Sequence, residues 1–342
     1  MRFDKPLAIN NLVKTVKVKR LLFVILPDVS ELRNMKNRRF IRDILSHCYQ
    51  RSADGGVLFY SRMDHLVYFT LFCVLAREYD IQVLSLCQMP DHIHDSVVAK
   101  SKSDLVKFKR ELNSRFAKLY NDFCGTSGQV FDSPFGSAPK QGPKAARSNL
   151  IYVANNPVER QLVRFAEEYR WNYLAYFIAP FPFSKEIVIR RSSKALRIAV
   201  KAVRAQFKAG LPMNYTLLKR LSKELSASEV DQLTDFIIST YNVIDYKAAI
   251  RFFDDFPDMM KSIHSNTGSE YDLNEVFLGK TDKPYATMTH ILMEQCGFDD
   301  IHQILSLSKE RKQELYTILR KHIDVMDEQI FRYLHIPYSF AR

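Results

Sequence analysis

His92 and His94 stand two apart in the run QMPDHIH at 88–94. In a strand, that spacing sends both imidazoles out of one face with Cα atoms about 6 to 7 Å apart, close enough for one small cation to engage both. A surface or packing pair is the plainer reading of such a motif, so its meaning depends on what is set opposite it. Tyr152 and Asn156, in YVANNPVERQLV at 152–163, are four apart, which places two side chains on the same side of a helix. A second reading competes there. Asn156-Pro157-Val158-Glu159 also has the form of a helix start, with Asn as N-cap, Pro at the first position and Glu at the third, which would leave Tyr152 as a packed aromatic in a preceding turn. Other chemistries are poorly served. Cys48, Cys73, Cys87, Cys124 and Cys296 form no CxxC pair and sit mostly in apolar runs, as reduced, packed thiols do. The glycines and lysines at 136–144 do not have the spacing of a phosphate-binding loop.

Holding these residues takes a sheet and helices. Apolar patterning and turn signals predict strands over 18–26, 44–50, 81–89, 92–99 and 130–135, with Pro90-Asp91 as a tight turn making the third and fourth of these antiparallel neighbours. Helices are predicted over 64–78, over 103–120 with Ser103 as N-cap, and over 148–170. The fold class expected is therefore α+β: an antiparallel sheet in a split βαβ arrangement, of ferredoxin-like or palm type, with helices on one face. From residue 184 strand signals almost vanish, and helices are predicted over 194–209, 217–225, 228–240, 245–253, 285–296, 308–322 and 327–335. Three parts follow: a basic N-terminal segment at 1–40, a domain at 41–183, and an all-α C-terminal domain at 184–342. The last contains a helix-turn-helix spacing at 308–336 that would expose Glu328, Gln329 and Arg332.

The two motifs, their order and the element order around them resemble the HUH single-tyrosine transposases, and among them the REP-associated tyrosine transposases (REP, repetitive extragenic palindrome). The resemblance spans roughly 43–176. It implies that His92 and His94 bind a divalent metal, Mg²⁺ or Mn²⁺, with Asn156 as third ligand, and that Tyr152 is the catalytic nucleophile of a DNA endonuclease and strand transferase. Such an enzyme cuts single-stranded or hairpin DNA through a covalent 5′-phosphotyrosine, conserving bond energy for rejoining. A metal suits the residue types, because an unperturbed phenol is only ~0.1% ionised at neutral pH and needs a cation to offset that deficit. Asp95 departs from the pattern, standing where an apolar residue is expected, in a position to tune the metal. The resemblance leaves monomer and homodimer open, since some members supply the tyrosine from a partner subunit. Two alternatives stand beside this reading: a non-catalytic DNA-binding protein of the same descent, and an RNase H-like transposase. The latter needs three converging carboxylates, and the element order brings no such set together.

Charge points the same way. The 342 residues exceed what one core usually organises, and they carry a net charge of +12, a balance that favours polyanions such as DNA. Residues 1–210 hold 35 basic and 18 acidic side chains, while 211–342 hold 15 and 20. Candidate DNA contacts are Lys140, Lys144 and Arg147 beside the tyrosine, Lys107, Arg110 and Arg115 with Lys109 and Lys118 on one helix, and Gln329 and Arg332 at the C-terminus. Tyr169, Trp171 and Tyr173 could stack on bases. No apolar run reaches the ~20 residues of a membrane helix, so a soluble, cytoplasmic protein with no membrane partner is expected.

Overall fold

The computed structural model describes residues 39–132, 134–265 and 281–336. The strand expected over 18–26 lies outside them, as does nearly all of the basic segment 1–40.

Four antiparallel strands make the sheet: β1 (Ser46–Arg51), β2 (Gln82–Gln88), β3 (His92–Val98) and β4 (Gly136–Pro139), in the order β2-β3-β1-β4. Between β2 and β3 the Pro90-Asp91 turn closes the expected hairpin, with Met89 N–H donating to His92 O at 2.8 Å. Helix α1 (Arg62–Glu78) joins β1 to β2, α2 (Lys102–Cys124) joins β3 to β4, and α3 (Gly142–Glu159) follows β4. Twelve of the 17 residues of α1 are buried, as its apolar character on all sides requires.

Several boundaries differ from those expected. β4 lies at 136–139 rather than 130–135, and Phe131 makes only an isolated bridge to Ser52. The reason is steric: β4 pairs Gly136 with Tyr49, and a Cβ on Gly136 would lie 2.0 Å from the Tyr49 ring. The cap of α2 is Ser101, not Ser103; its hydroxyl accepts from the Asp104 amide at 3.1 Å. Helix α3 begins six residues before the expected 148, carrying Pro143 in its first turn, and ends at Glu159, giving way to short 3-10 turns over 166–177.

Strand alternation separates two layers. Cys48, Ile93 and Val97 face a core built with α1 and α2, whereas Leu45 and Leu84 face a smaller cluster with Leu150, Ile151 and Ala154 of α3. The helices therefore lie on both faces of the sheet rather than one. α3 is itself covered by α7 (Tyr246–Ile250) and α8 (Phe256–Ser265), the latter unforeseen from sequence. Asn155 donates to Ile263 O at 2.7 Å, and Arg147 pairs with Asp258 at 3.1 Å.

Beyond residue 184 the regular elements among the described residues are helical. α4 (Lys194–Lys208) packs on α5 (Tyr215–Ser222) and α6 (Ala227–Tyr241), these two pack on α1, and the main core continues from the sheet into Leu196, Val203, Leu218, Leu233 and Ile237. No gap in packing marks a boundary at 183/184, and residues 40–342 form one compact unit. A second core gathers α9 (Lys283–Gln295), α10 (Lys309–His322) and α11 (Asp327–Leu334) around Val57. Here Gly56 admits the His335 ring, which would lie 2.5 Å from a Cβ at that position, while His335 Nε2 bonds Val57 O at 2.8 Å. Among the described residues no helix is long and apolar enough to cross a membrane.

Candidate active site

Helix α3 runs unbroken through Tyr152 and Asn156 to Glu159, with Pro157 inside its last turn. The N-cap reading of Asn156 is thereby displaced. Pro157 forgoes the bond that an N–H there would have given the Val153 carbonyl, and the helix ends two residues after it, at Glu159. Tyr152 and Asn156 thus share one side of α3, and the sheet face beneath them carries the histidines of β3.

The rings are in contact. His92 and His94 centroids are 4.9 Å apart, and Tyr152 lies edge-on to His94 at 5.4 Å. All belong to one chain, so Tyr152 meets its own histidine pair. Asn156 uses its amide nitrogen to donate to Tyr152 O at 3.0 Å, which turns Oδ1 toward His92 Nε2, 3.5 Å away. On its other nitrogen, Nδ1, His92 meets the Asp91 carboxylate at 2.5 Å. An Nδ1–H donated to Asp91 leaves a lone pair on Nε2 facing the lone pairs of Asn156 Oδ1. Two acceptors that face each other at this distance offer a position for a cation, a proton or a metal ion. Among the described residues no three His, Cys, Asp or Glu are grouped to hold an ion. Asn156 Oδ1 is the further protein oxygen in position beside the pair, and two imidazoles with an amide oxygen make a borderline donor set, which suits Mn²⁺ better than Mg²⁺ with its preference for oxygen ligands.

A third histidine went unnoticed in the sequence. His47 on β1 is fully buried, with Nε2 2.9 Å from His94 Nδ1 and its ring 5.6 Å from Tyr152. Burial first, then the positive neighbours His94, Lys140 and Lys109, lower its pKa well below that of a free imidazole. Neutral His47 can accept a proton shared by His94 Nδ1, which directs the lone pair of His94 Nε2 away from His47. Each histidine of the pair then has a fixed Nδ1 partner, Asp91 for one and His47 for the other, as metal-binding imidazoles characteristically do. Strand parity was the available signal, since His47 and His94 project from the same sheet face. Parity yields no pairing without the β1–β3 register, in which Tyr49 opposes His94 and His47 opposes Ser96.

A charged layer backs His92. Burial would raise the Asp91 carboxyl, but His92 and, farther off, Arg160 and Arg332 hold it well below the usual carboxylate range. Asp282, at the start of α9, is pushed up to about 7 by burial and by Asp91, against Arg160, whose guanidinium lies 3.7 Å from it. The C-terminal helices therefore bring a carboxylate to the turn that begins β3.

Asp95 does not join the site. Alternation turns it to the opposite face of the sheet from His94, where it forms a fully buried ion pair with Lys109. The same pair removes Lys109 from any phosphate-facing row. Of its neighbours on α2, Lys107, Arg110 and Lys118 are exposed, and Arg115 is bound to Glu111 at 3.1 Å. Beside α3, Lys144 is exposed, Arg147 is engaged by Asp258, and Lys140 is buried along a cleft of about 400 Å³ that Arg251 also lines. The exposure expected of Gln329 is corrected: α11 buries Gln329, Ile330, Phe331, Tyr333 and Leu334, while Glu328 and Arg332 are half-buried. Gln329 donates to Thr281 O at 2.7 Å and Arg332 to Glu328 at 2.8 Å, so both side chains are engaged within the fold. Of the candidate stacking aromatics, Tyr173 is buried with its hydroxyl donating to Gln88, Tyr169 donates to Gln88 O, and Trp171 stacks on His65.

Comparison with known proteins is sparse. No family model matches the chain, and no curated protein matches it. One solved structure, of a REP-associated tyrosine transposase bound to a REP hairpin, aligns at a TM-score of 0.36 and 14% identity, over 41% of this chain and 82% of that one.

Proposed function

We propose that this chain is a DNA nickase and strand transferase of HUH type, with Tyr152 as nucleophile and a site for Mg²⁺ or Mn²⁺ at His92, His94 and Asn156. The observation that carries the reading is the convergence of Tyr152, His94, His92 and Asn156 from α3 and β3, with His92 Nε2 and Asn156 Oδ1 facing each other at 3.5 Å. A bound divalent ion would polarise the scissile phosphate and offset charge on the attacking and leaving oxygens.

The residues of the chain do the rest. Asp91 and His47 fix the two imidazoles, and the Asn156 amide is held by Tyr152 O. The Tyr152 oxygen attacks phosphorus, the bond from phosphorus to the 3′ oxygen breaks, and the phenolic proton is balanced by one gained on the released 3′ hydroxyl. Rejoining reverses these events with a second 3′ hydroxyl, so no nucleotide hydrolysis is needed. Low exposure of Tyr152, at 5%, favours one second reading: a hairpin-binding protein that keeps these residues without cutting. A nicking assay on labelled hairpin DNA with Mn²⁺ separates the two. Nicks made by the wild type and absent from Tyr152→Phe support the enzyme; equal products from both, or intact DNA throughout, exclude it.

A further inference from the structure

Across residues 187–223 the chain has ten lysines and arginines and no acidic residue. Helix α4 arranges five of them, Lys194, Arg197, Lys201, Arg204 and Lys208, at alternating intervals of three and four, all exposed. The opposite side of α4 carries Leu196, Ala199, Val200 and Val203, buried in the main core. Orientation is thus fixed by packing, and the basic row must face outward.

Two features set this row apart from an ordinary solvated face. Along it, each cation has a like-charged neighbour three or four residues away, and such pairs destabilise a helix. Relief within the fold is absent: among the described residues no ion pair engages Lys194, Arg197, Lys201 or Lys208, and Arg204 rests over the Phe236 ring. Elsewhere the exposed helices mix signs, as in Arg115 with Glu111 and Arg311 with Glu314. From Lys194 to Lys208 the row runs about 21 Å at 1.5 Å per residue, the length of about six base-pair steps of duplex DNA.

We infer that the exposed row of α4 is a docking surface for the phosphate backbone of duplex DNA, such as a hairpin stem. The inference rests on the DNA-processing reading above and adds a second contact region, outside the part of the chain that resembles transposases. Backbone contact is favoured over base stacking because the aromatic at the row, Phe207, stands at its end and its ring is already engaged by Arg77, 5.0 Å from the centroid. Contact with a lipid surface is disfavoured because Leu196, Ala199, Val200 and Val203 are committed to the core, which leaves Ile198 and Phe207 as the large apolar side chains exposed on α4, short of the continuous apolar face that an interfacial helix inserts.

The test is the full-length variant Lys194→Gln, Arg197→Gln, Lys201→Gln and Lys208→Gln, which keeps helix-forming residues and leaves Arg204 on Phe236. Hairpin DNA binding is followed by fluorescence anisotropy against KCl, with thermal melting as a check on folding. An equally stable variant should bind more weakly, with a log K against log salt slope shallower by about 3 to 4, near 0.9 per lost contact. Tyr152→Phe should keep the wild-type slope, so failure of the nuclease reading and failure of this one give different patterns. An unchanged slope and affinity would overturn the inference. So would a variant that loses binding to phosphatidylserine vesicles while holding DNA as before.

Discussion

At the scale of single residues, the site depends on how each imidazole is held. His92 and His94 were legible from their spacing, and Tyr152 and Asn156 from the resemblance, because these residues sit in short contiguous motifs. His47 was not, since its partner lies 47 residues away and only the strand register joins them. If His47 fixes the His94 tautomer, His47→Ala should weaken Mn²⁺ binding about 10- to 100-fold, the usual cost of losing such a partner. His47→Gln, whose amide can still accept from His94, should recover part of the loss. Titration calorimetry with Mn²⁺ measures this without DNA, and equal affinity in all three proteins would remove His47 from the site.

At the scale of elements, the strands of the hairpin and α1 were legible because their apolar runs are long and bounded by turn signals. β4 was not, because its small residues GSAP carry no strand propensity and pair only where Gly136 fits under Tyr49. Nor was the true extent of α3, which is buried on two sides and so lacks a polar stripe. Asp95 and Lys109 show the same limit: from sequence one suggested a metal neighbour and the other a phosphate contact, yet they bind each other between β3 and α2. Removing one member of a buried pair leaves an uncompensated charge and costs about 3 to 5 kcal/mol, whereas replacing both by apolar or neutral groups is far milder. Lys109→Met should therefore lose about that much in urea denaturation, and Asp95→Asn combined with Lys109→Met should regain most of it. Additive losses would contradict the pairing.

At the scale of the whole molecule, the C-terminal helices are continuous with the fold that carries the site. His302 makes the join. It is buried, 2.9 Å from Asp64, which also caps α1 and accepts from Tyr215 at 2.9 Å, and 2.6 Å from Asp300. Burial would lower its pKa, but Asp64 and Asp300 outweigh that and raise it to about 10 from 6.5. A group raised on folding stabilises fully below its unfolded value and loses that contribution as pH climbs through the folded one. Between about pH 6.5 and 10 the wild type should therefore lose on the order of 3 to 5 kcal/mol more than His302→Gln, read from denaturation curves at both ends of the window. Parallel losses would remove His302 from the account. The central claim is the nucleophile, and mass spectrometry of peptides after incubation with Mn²⁺ and hairpin DNA tests it most directly. The account predicts a nucleotide joined through its 5′ phosphate to Tyr152, absent in chelator and in His94→Ala; DNA cut with no adduct, or an adduct on another residue, would contradict it.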